Sequence, residues 1–173
     1  MSARNGNWFL TFTGRRFYVT DPRPEDVCIE DIAHHLSLLC RFNGACRVFY
    51  SVAQHSLLVE RICPGLPSLL HDAAEAYVGD MVRPLKLSMP QFRDAEARVW
   101  SAVCEKFGIE EALSPKVKAA DNRALMTERR DLMCPTDYEW GATEKPIPER
   151  IITYSAGRMA AAFLERFNEL TLK

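Results

Sequence analysis

The sequence predicts an all-α domain with a small β-hairpin at its N-terminus. From residue 29 onward, apolar residues recur at spacings of three and four, which is the period of amphipathic helices. Before that point, aromatic and β-branched residues cluster on both sides of a Thr-Gly turn, as in a short hairpin. With 173 residues, 47% of them hydrophobic, the chain can bury a core of its own. We therefore expect a single domain over residues 1–173, with a hairpin and break in 1–24, a helical core in 29–130 and a closing helix in 150–170.

Local signals define the individual elements. Ser51 and Gln54 resemble a capping box at the start of a helix, and Ser114 is a candidate cap directly before Pro115. Pro67 and Pro115 suit the first turns of two later helices, because the amide that proline lacks would have no helical partner there. The two prolines of 81–90 predict a loop. The predicted elements are hairpin strands in 8–12 and 15–20, and helices in 29–42, 51–63, 66–78, 91–108, 114–130 and 149–167.

The composition argues against several classes of protein. The 22 Lys and Arg residues balance 23 Asp and Glu residues, a net charge of −1, which is unlike a broad nucleic-acid or membrane surface. No apolar run reaches the roughly 18–20 residues of a membrane-spanning helix, and the first dozen residues lack the apolar stretch of a signal peptide. The six cysteines include no C-x-x-C pair and are expected to be reduced thiols. A cytoplasmic protein that acts on a small molecule is therefore expected.

Several polar residues occupy helix positions that should be apolar. His55 shares a stripe with Val52 and Val59, and so it points into the predicted bundle. Asp121 lies four residues from an apolar neighbour on each side. The other members of the group flank the apolar stripe of the third helix: His71, Asp72 and Glu75. Buried carboxylates without partners are costly, and no Lys or Arg lies on the same stripes, so the pattern predicts a metal cation.

Two imidazoles and two carboxylates suit one divalent ion, namely Zn²⁺, Co²⁺, Mn²⁺, Fe²⁺ or Mg²⁺. Each residue alone has a simpler explanation, because a single His55 would more often be a core histidine and Asp121 could pair with an arginine of another helix. The combination of all four facing inward favours the metal. A closed structural zinc site would instead favour cysteine ligands.

The same residues carry a resemblance to a known family. His55, the string LLHDAAEAYVGD at 69–80 and the string VKAADNRAL at 117–125 resemble the HD-domain phosphohydrolases, which are all-α metal enzymes. Within that superfamily, residues 51–56 and 71–86 are similar to the bacterial 5′-deoxynucleotidases and to the phage dATP triphosphohydrolases. The resemblance spans roughly residues 29–130. It implies an HD-domain helical bundle that cleaves the 5′-phosphate ester of a (deoxy)nucleotide, as a dATP triphosphohydrolase or a 5′-deoxynucleotidase, and that forms a homo-oligomer.

The resemblance also implies roles for individual residues. Four of them match the family's metal ligands: His55, His71, Asp72 and Asp121. Glu75 matches a carboxylate that acts in proton transfer, and Asp80 an aspartate at the mouth of the site. Arg41 and Phe42 stand where the deoxynucleotidases have an Arg-Trp pair that binds the phosphate and the nucleoside. Phe42 departs from that pattern, which leaves the base preference open. Lys86 and Arg83 are further candidates for phosphate contacts, because a polyanionic substrate needs local cations.

Two other functions stay open at this point. The chain could be an HD hydrolase of another phosphoester, or a catalytically retired HD module that binds nucleotides in a regulatory role. Glu75 and Asp80 favour the enzyme, because a module without turnover has no need of them.

Overall fold

The computed structural model describes Arg4 and residues 6–172, and its architecture is predominantly helical with one short hairpin. The ends of the predicted domain at 1–3 and 173, and residue 5, lie outside the described residues. Strands β1 (Phe9–Leu10) and β2 (Arg16–Phe17) pair antiparallel, with Phe9 opposite Phe17. The helices of the described part are α1 (Ile29–Leu38), α2 (Val52–Ile62), α3 (Leu66–Leu70), α4 (Glu75–Val78), α5 (Arg83–Ser88), α6 (Pro90–Phe107), α7 (Pro115–Leu132) and α8 (Ala156–Thr171).

The core forms around α1 and α2. Helix α8 packs along α1, and α2 lies between α1, α3 and α7. Ile32, Leu36 and Phe163 are fully buried where α1 meets α8. The hairpin joins this core through Phe17, whose ring stacks on that of Tyr77 with centroids 3.9 Å apart. A smaller apolar cluster, Val59 with Ala120 and Ala124, joins α2 to α7.

The two serine caps are confirmed. The Ser51 hydroxyl accepts a hydrogen bond from the Gln54 amide at 3.1 Å, and α2 begins at Val52. The Ser114 hydroxyl accepts from the Val117 amide at 3.4 Å, and α7 begins at Pro115. These caps satisfy amides that have no partner in the first turn of a helix.

The third predicted helix is interrupted, which corrects the expectation of one helix over 66–78. Between α3 and α4 the backbone bonds span three residues, from the Ala73 amide to the Leu70 carbonyl and from the Glu75 amide to the Asp72 carbonyl. The Ser68 carbonyl, which would accept the Asp72 amide in a continuous α-helix, accepts from the His71 ring instead, at 2.8 Å. The tightened turn therefore coincides with the His-Asp pair.

Several other boundaries differ from the prediction. Each strand has only two residues, and the last helix ends at Thr171 rather than at 167. The first helix ends at Leu38 rather than at 42. Part of the predicted loop 81–90 is helix α5, which tolerates Pro84 because proline fits a first turn. The last helix starts at Ala156 rather than at 149. Residues 149–155 form neither helix nor strand, and α2 and α7 hold them in place. Gln54 of α2 donates to the Ile152 carbonyl at 2.6 Å and accepts from the Tyr154 amide at 3.2 Å, and Asp131 of α7 accepts from the Ile151 amide at 2.9 Å.

Within the described residues, no helix combines the length and the apolar character needed to cross a bilayer.

Candidate metal centre

His55 lies at the centre of the molecule, as predicted. Its side chain is fully buried on the inward face of α2, with Val52 and Val59. Its Nδ1 is 2.6 Å from Oε1 of Glu128, which is also fully buried. The Glu128 carboxylate accepts a hydrogen bond from the Nδ1–H of His55. Nε2 of His55 therefore points away from Glu128 and toward the turn after α3.

His71 presents the same nitrogen from the opposite side. Its Nδ1 is 2.8 Å from the Ser68 carbonyl oxygen, which can only accept, so this nitrogen carries the proton. The Nε2 atoms of His55 and His71 are 3.2 Å apart. Both rings thus direct Nε2 to a common point, the arrangement that histidine ligands of metal ions adopt.

Two carboxylates complete this cluster. Oδ2 of Asp72 lies 3.2 Å from Nε2 of His71 and 3.5 Å from Nε2 of His55. Oδ1 of Asp121 lies 3.2 Å and 3.9 Å from Nε2 of His55 and His71, respectively. Ligand atoms of His55, His71 and Asp121 all lie within 4.8 Å of one another. The fold therefore brings His55, His71 and Asp121 together from α2, the interrupted third helix and α7 as a group that could hold an ion. It also places Asp72, the fourth predicted ligand, against both imidazoles.

The donor set fits a divalent cation. Adjacent ligand atoms around an octahedral ion with bonds of about 2.1 Å are about 3 Å apart, close to the 3.2 Å between the two Nε2 atoms. Imidazole and carboxylate together suit Zn²⁺, Mn²⁺, Co²⁺, Fe²⁺ and Mg²⁺. The cluster could hold a metal ion, and its donor chemistry does not single out one of these metals.

The charged groups around the cluster shift the pKa values of His55 and Asp72. Burial and the charge of Arg41 oppose protonation of His55, but Glu128 and Asp121 outweigh them and raise its pKa to about 10. Burial raises the pKa of Asp72, whereas His71, His55 and Arg41 lower it, and the net pKa is well below the ordinary value. Protons on imidazole therefore balance the carboxylates when no cation is bound. A divalent ion can take their place.

Asp121 lies beside the buried stripe of α7 rather than on it. The buried residues of this face are Val117, Ala120 and Ala124, whereas Leu125 is only partly buried. The Asp121 side chain is 42% exposed. Asp121 thus borders solvent, which leaves a route by which an ion or a substrate can approach.

Arg41 brings a positive charge to the cluster although it does not lie on the helix stripes that carry the carboxylates. The expectation that these carboxylates lack a basic partner in the protein is therefore incomplete. Arg41 follows α1 in the short 3-10 turn Arg41–Gly44. Its Nη1 is 3.6 Å from Oδ2 of Asp72, and its Nη2 is 3.1 Å from Oε2 of Glu128. Arg41 therefore lies at the centre, as the resemblance implies, and it is held there by two ion pairs.

Glu128 is the residue that sequence reasoning missed. A signal for it was present, because Glu128 follows Asp121 by seven residues, two helical turns, and interrupts the apolar face of α7. Burial raises the pKa of Glu128, but the opposing effect of Arg41 and His55 is larger and lowers the pKa to about 2. It is therefore an ionised carboxylate with a charged partner on each oxygen.

Glu75 and Asp80 lie on the side of the centre nearest α4. Glu75 is buried, and its Oε2 has no hydrogen-bond partner among the described residues. Burial, together with the charges of Asp72 and Asp80, raises the pKa of Glu75 well above its ordinary value. Burial also raises the pKa of Asp80, with a further contribution from Asp72 that Arg41 opposes. Glu75 is thus a buried carboxyl group of raised pKa next to Asp72, one of the candidate metal ligands.

A cavity of about 260 Å³ adjoins Glu75 and extends between α5 and α6. Lys86 lies on its wall, with Nζ 2.7 Å from Oε1 of Glu96 and 3.7 Å from Oε1 of Glu75. The other lining residues are His71, Asp72, Ala74, Arg93, Ala97, Trp100 and Leu113. The cavity reaches the candidate ligands His71 and Asp72, and its wall carries both basic and acidic side chains together with the indole of Trp100.

The remaining predicted contacts are less closely tied to the cluster. Arg83 is exposed, and among the described residues it forms no ion pair with a carboxylate of the site. The Phe42 ring lies 5.0 Å from the Arg41 guanidinium and 5.7 Å, edge to face, from the indole of Trp140. Phe42 and Asn43 both have positive φ, 55° and 51°. Such strain in a bulky residue persists only where the surroundings hold it.

Comparisons with known proteins give relatives without an assigned activity. No family model matches the chain. The Escherichia coli (strain K12) protein YfdR, described as uncharacterized, is 39% identical over 171 residues, which cover 95% of this chain and 96% of YfdR. The uncharacterized Rhodobacter capsulatus protein RCAP_rcc00048 is 40% identical over 126 residues, which cover 65% of this chain and 64% of that protein.

Proposed function

The chain belongs to the same family as Escherichia coli YfdR, and we propose that it is an HD-domain, metal-dependent phosphohydrolase. Its substrate class is the (deoxy)nucleotides, and its reaction is hydrolysis of the 5′-phosphate ester. Within that class we propose a deoxynucleoside triphosphate such as dATP, or a deoxynucleoside 5′-monophosphate.

The convergence of four side chains is the main support for this function. His55 and His71 both direct Nε2 toward the carboxylates of Asp72 and Asp121, and the hydrogen bonds on their Nδ1 atoms set that orientation. A divalent ion held by these residues supplies Lewis-acid polarisation of a phosphoryl oxygen and a water of lowered pKa. The order of the ligands along the chain matches the motif of the HD-domain family.

The residues around the four ligands fit the handling of a phosphate ester. Arg41 carries positive charge beside Asp72, and its buried Nε–H has no partner among the described residues, so it is available to a phosphoryl oxygen. The raised pKa of Glu75 favours its protonated form, and we assign it the role of giving a proton to the departing 5′-oxygen. We assign the sugar end of the substrate to Asp80, whose pKa is influenced by the charges of Arg41 and Asp72.

We assign binding of the rest of the nucleotide to residues of α5 and to Phe42. Lys86 lines the cavity beside Glu75, and Arg83 lies one helical turn earlier on α5. We assign both to the phosphate groups, and the Phe42 ring to the base. Exposed apolar side chains on α5, Leu85 and Leu87, are consistent with a homo-oligomer.

Phosphorus NMR of the products tests the proposal. The protein is loaded in turn with Mn²⁺, Co²⁺ and Zn²⁺ and incubated separately with dAMP and with dATP. We expect triphosphate from dATP or orthophosphate from dAMP. A variant carrying both His71→Ala and Asp72→Ala should lose more than about 100-fold of the rate, since even residues that only orient metal ligands contribute about 10–100-fold.

The matched control is His34→Ala. His34 stacks on Phe12 at 3.7 Å and touches none of the four ligands, so this variant should retain the wild-type rate. Metal-independent product, or equal product from the double variant, would overturn the proposal. Nucleotide binding by the metal-loaded protein without any product would favour the regulatory module, and hydrolysis of other phosphoesters alone would change the substrate class.

A further inference from the structure

Glu128 is placed to act on the metal centre without being one of its ligands. It is fully buried on α7. Its Oε1 is 2.6 Å from Nδ1 of His55, and its Oε2 is 3.1 Å from Nη2 of Arg41. Both oxygens are therefore engaged on the far side of His55 from the ligand cluster.

The contact with His55 selects the nitrogen that faces the cluster. A carboxylate can only accept, so Nδ1 of His55 carries its proton toward Glu128 and Nε2 points to Asp72 and Asp121. A buried imidazole without this partner could rotate or exchange the protonated nitrogen. Carboxylate partners of metal-bound histidines restrict both motions and make the ring a better ligand.

Through its contact with Arg41, Glu128 also influences the position of a second candidate ligand, Asp72. Arg41 joins Glu128 to Asp72, because its Nη2 contacts Glu128 and its Nη1 lies 3.6 Å from Oδ2 of Asp72. One carboxylate thus holds His55 directly and Asp72 through the guanidinium. His55 and Asp72 come from different parts of the fold, and no other described residue is within ion-pairing distance of both His55 and Arg41 apart from Asp72 itself.

Packing alone does not account for a glutamate at this position. The buried residues one helical turn before and after Glu128 on α7, Ala124 and Leu132, are apolar. Burying an ionised pair is frequently no better for stability than an apolar residue of similar volume. A charged group at this point is explained by what it holds in place.

We propose that Glu128 is a positioning residue that orients His55 and Arg41 and thereby sets the affinity of the centre for its divalent ion. This inference rests on the metal site of the proposed function, but not on the identity of the substrate.

Metal affinity measured by isothermal titration calorimetry with Mn²⁺ tests the inference. We expect Glu128→Gln to weaken binding about 10–100-fold, because the amide still accepts from Nδ1 but no longer carries the charge that holds Arg41. Glu128→Asp keeps the charge on a side chain one methylene shorter, too short to reach both partners. It should also weaken binding, and it serves as the second variant if the first does not fold.

Glu60→Gln is the matched control. Glu60 is likewise a buried glutamate in an ion pair, with Oε1 2.6 Å from Nη2 of Arg166, and it lies on the same helix as His55. This substitution should lower stability but leave the dissociation constant for Mn²⁺ within about twofold of the wild-type value. The contrast between the two glutamates separates positioning from a general structural effect.

The possible results distinguish this inference from the proposed function. If the wild-type protein binds Mn²⁺ and both Glu128 variants bind it equally well, the inference is overturned while the metal site stands. Equal weakening by Glu60→Gln would also overturn it, because the effect would then be structural. If the wild-type protein binds no divalent ion, the proposed function fails as well.

Discussion

At the scale of single residues, the buried charged side chains Glu128 and Arg41 form ion pairs with residues of the candidate centre. Glu128 and Asp72 share Arg41 at the centre. Truncating one partner of such a buried pair leaves an uncompensated charge, which typically costs about 3–5 kcal/mol. Residues of this kind therefore serve stability and the site together, and only comparisons such as Glu128 against Glu60 separate the two effects.

Asp131 is the corresponding residue on the outer side of α7. Its oxygens accept from Arg130 at 2.7 Å, from Arg150 at 2.5 Å and from the Ile151 amide at 2.9 Å. It thereby anchors segment 149–155 to the helix that carries Asp121. The hydrogen bond from Arg130 is the main cause that holds the pKa of Asp131 well below its ordinary value, although burial opposes it.

This lowered pKa predicts a pH-dependent contribution to stability. The ionised form is favoured in the folded state, so the contribution is complete above the ordinary aspartate pKa of about 4 and is lost as the pH falls below it. Asp131→Asn should lower the free energy of unfolding by about 1–3 kcal/mol at pH 7, and the difference should shrink toward pH 2. Urea unfolding across this range measures it. Asp137→Asn, an exposed position, is the control, and a difference independent of pH would contradict the prediction.

At the scale of elements, two of the helices that carry candidate ligands begin with a side-chain cap. Helix α2 begins with the Ser51 cap, four residues before His55, and α7 begins with the Ser114 cap, seven residues before Asp121. Helix α8, which supplies no ligand, begins after Ser155 without a side-chain cap. The cap of α2 is also buried, since Ser51 is 1% exposed.

Removal of the Ser51 cap tests how much it stabilises α2 and the fold. Ser51→Ala should lower the free energy of unfolding by about 1 kcal/mol, because the Gln54 amide loses its acceptor. The same change at Ser155 should cost a few tenths of that, since no cap bond is lost there. Thermal unfolding monitored by circular dichroism compares the two variants under identical conditions. Equal losses at both positions would show that the Ser51 bond contributes nothing.

At the scale of the whole molecule, the candidate centre joins parts of the chain that the apolar core joins only partly. The cluster that binds α2 to α7 is small, with Val59, Ala120 and Ala124 as its buried members. An ion held by His55, His71, Asp72 and Asp121 would cross-link α2, the turn before α4 and α7. Its binding energy would then add to the stability of the fold.

Metal addition is therefore expected to raise the melting temperature. At a free Mn²⁺ concentration 100 times the dissociation constant, the gain is about 2.7 kcal/mol, which corresponds to several degrees for a chain of this size. Chelation with EDTA should reverse the shift. Differential scanning calorimetry of the wild-type protein and of Asp121→Ala provides the test, and an equal shift in the variant would place the ion elsewhere.

Local sequence patterns predicted the helical class, the hairpin, both serine caps and the inward position of His55, because period and capping depend on residues within a few positions of one another. Tertiary packing decided the rest. Glu128 reaches His55 across 73 residues and Arg41 across 87, and no helical period relates positions so far apart. The conformation of segment 149–155 likewise follows from contacts with Gln54 and Asp131, whereas the break at His71 comes with a local bond to Ser68 that the helical period did not reveal. The candidate ligand residues were thus readable from the chain, but the side chains that hold them in place became apparent only when distant segments met around the buried charge.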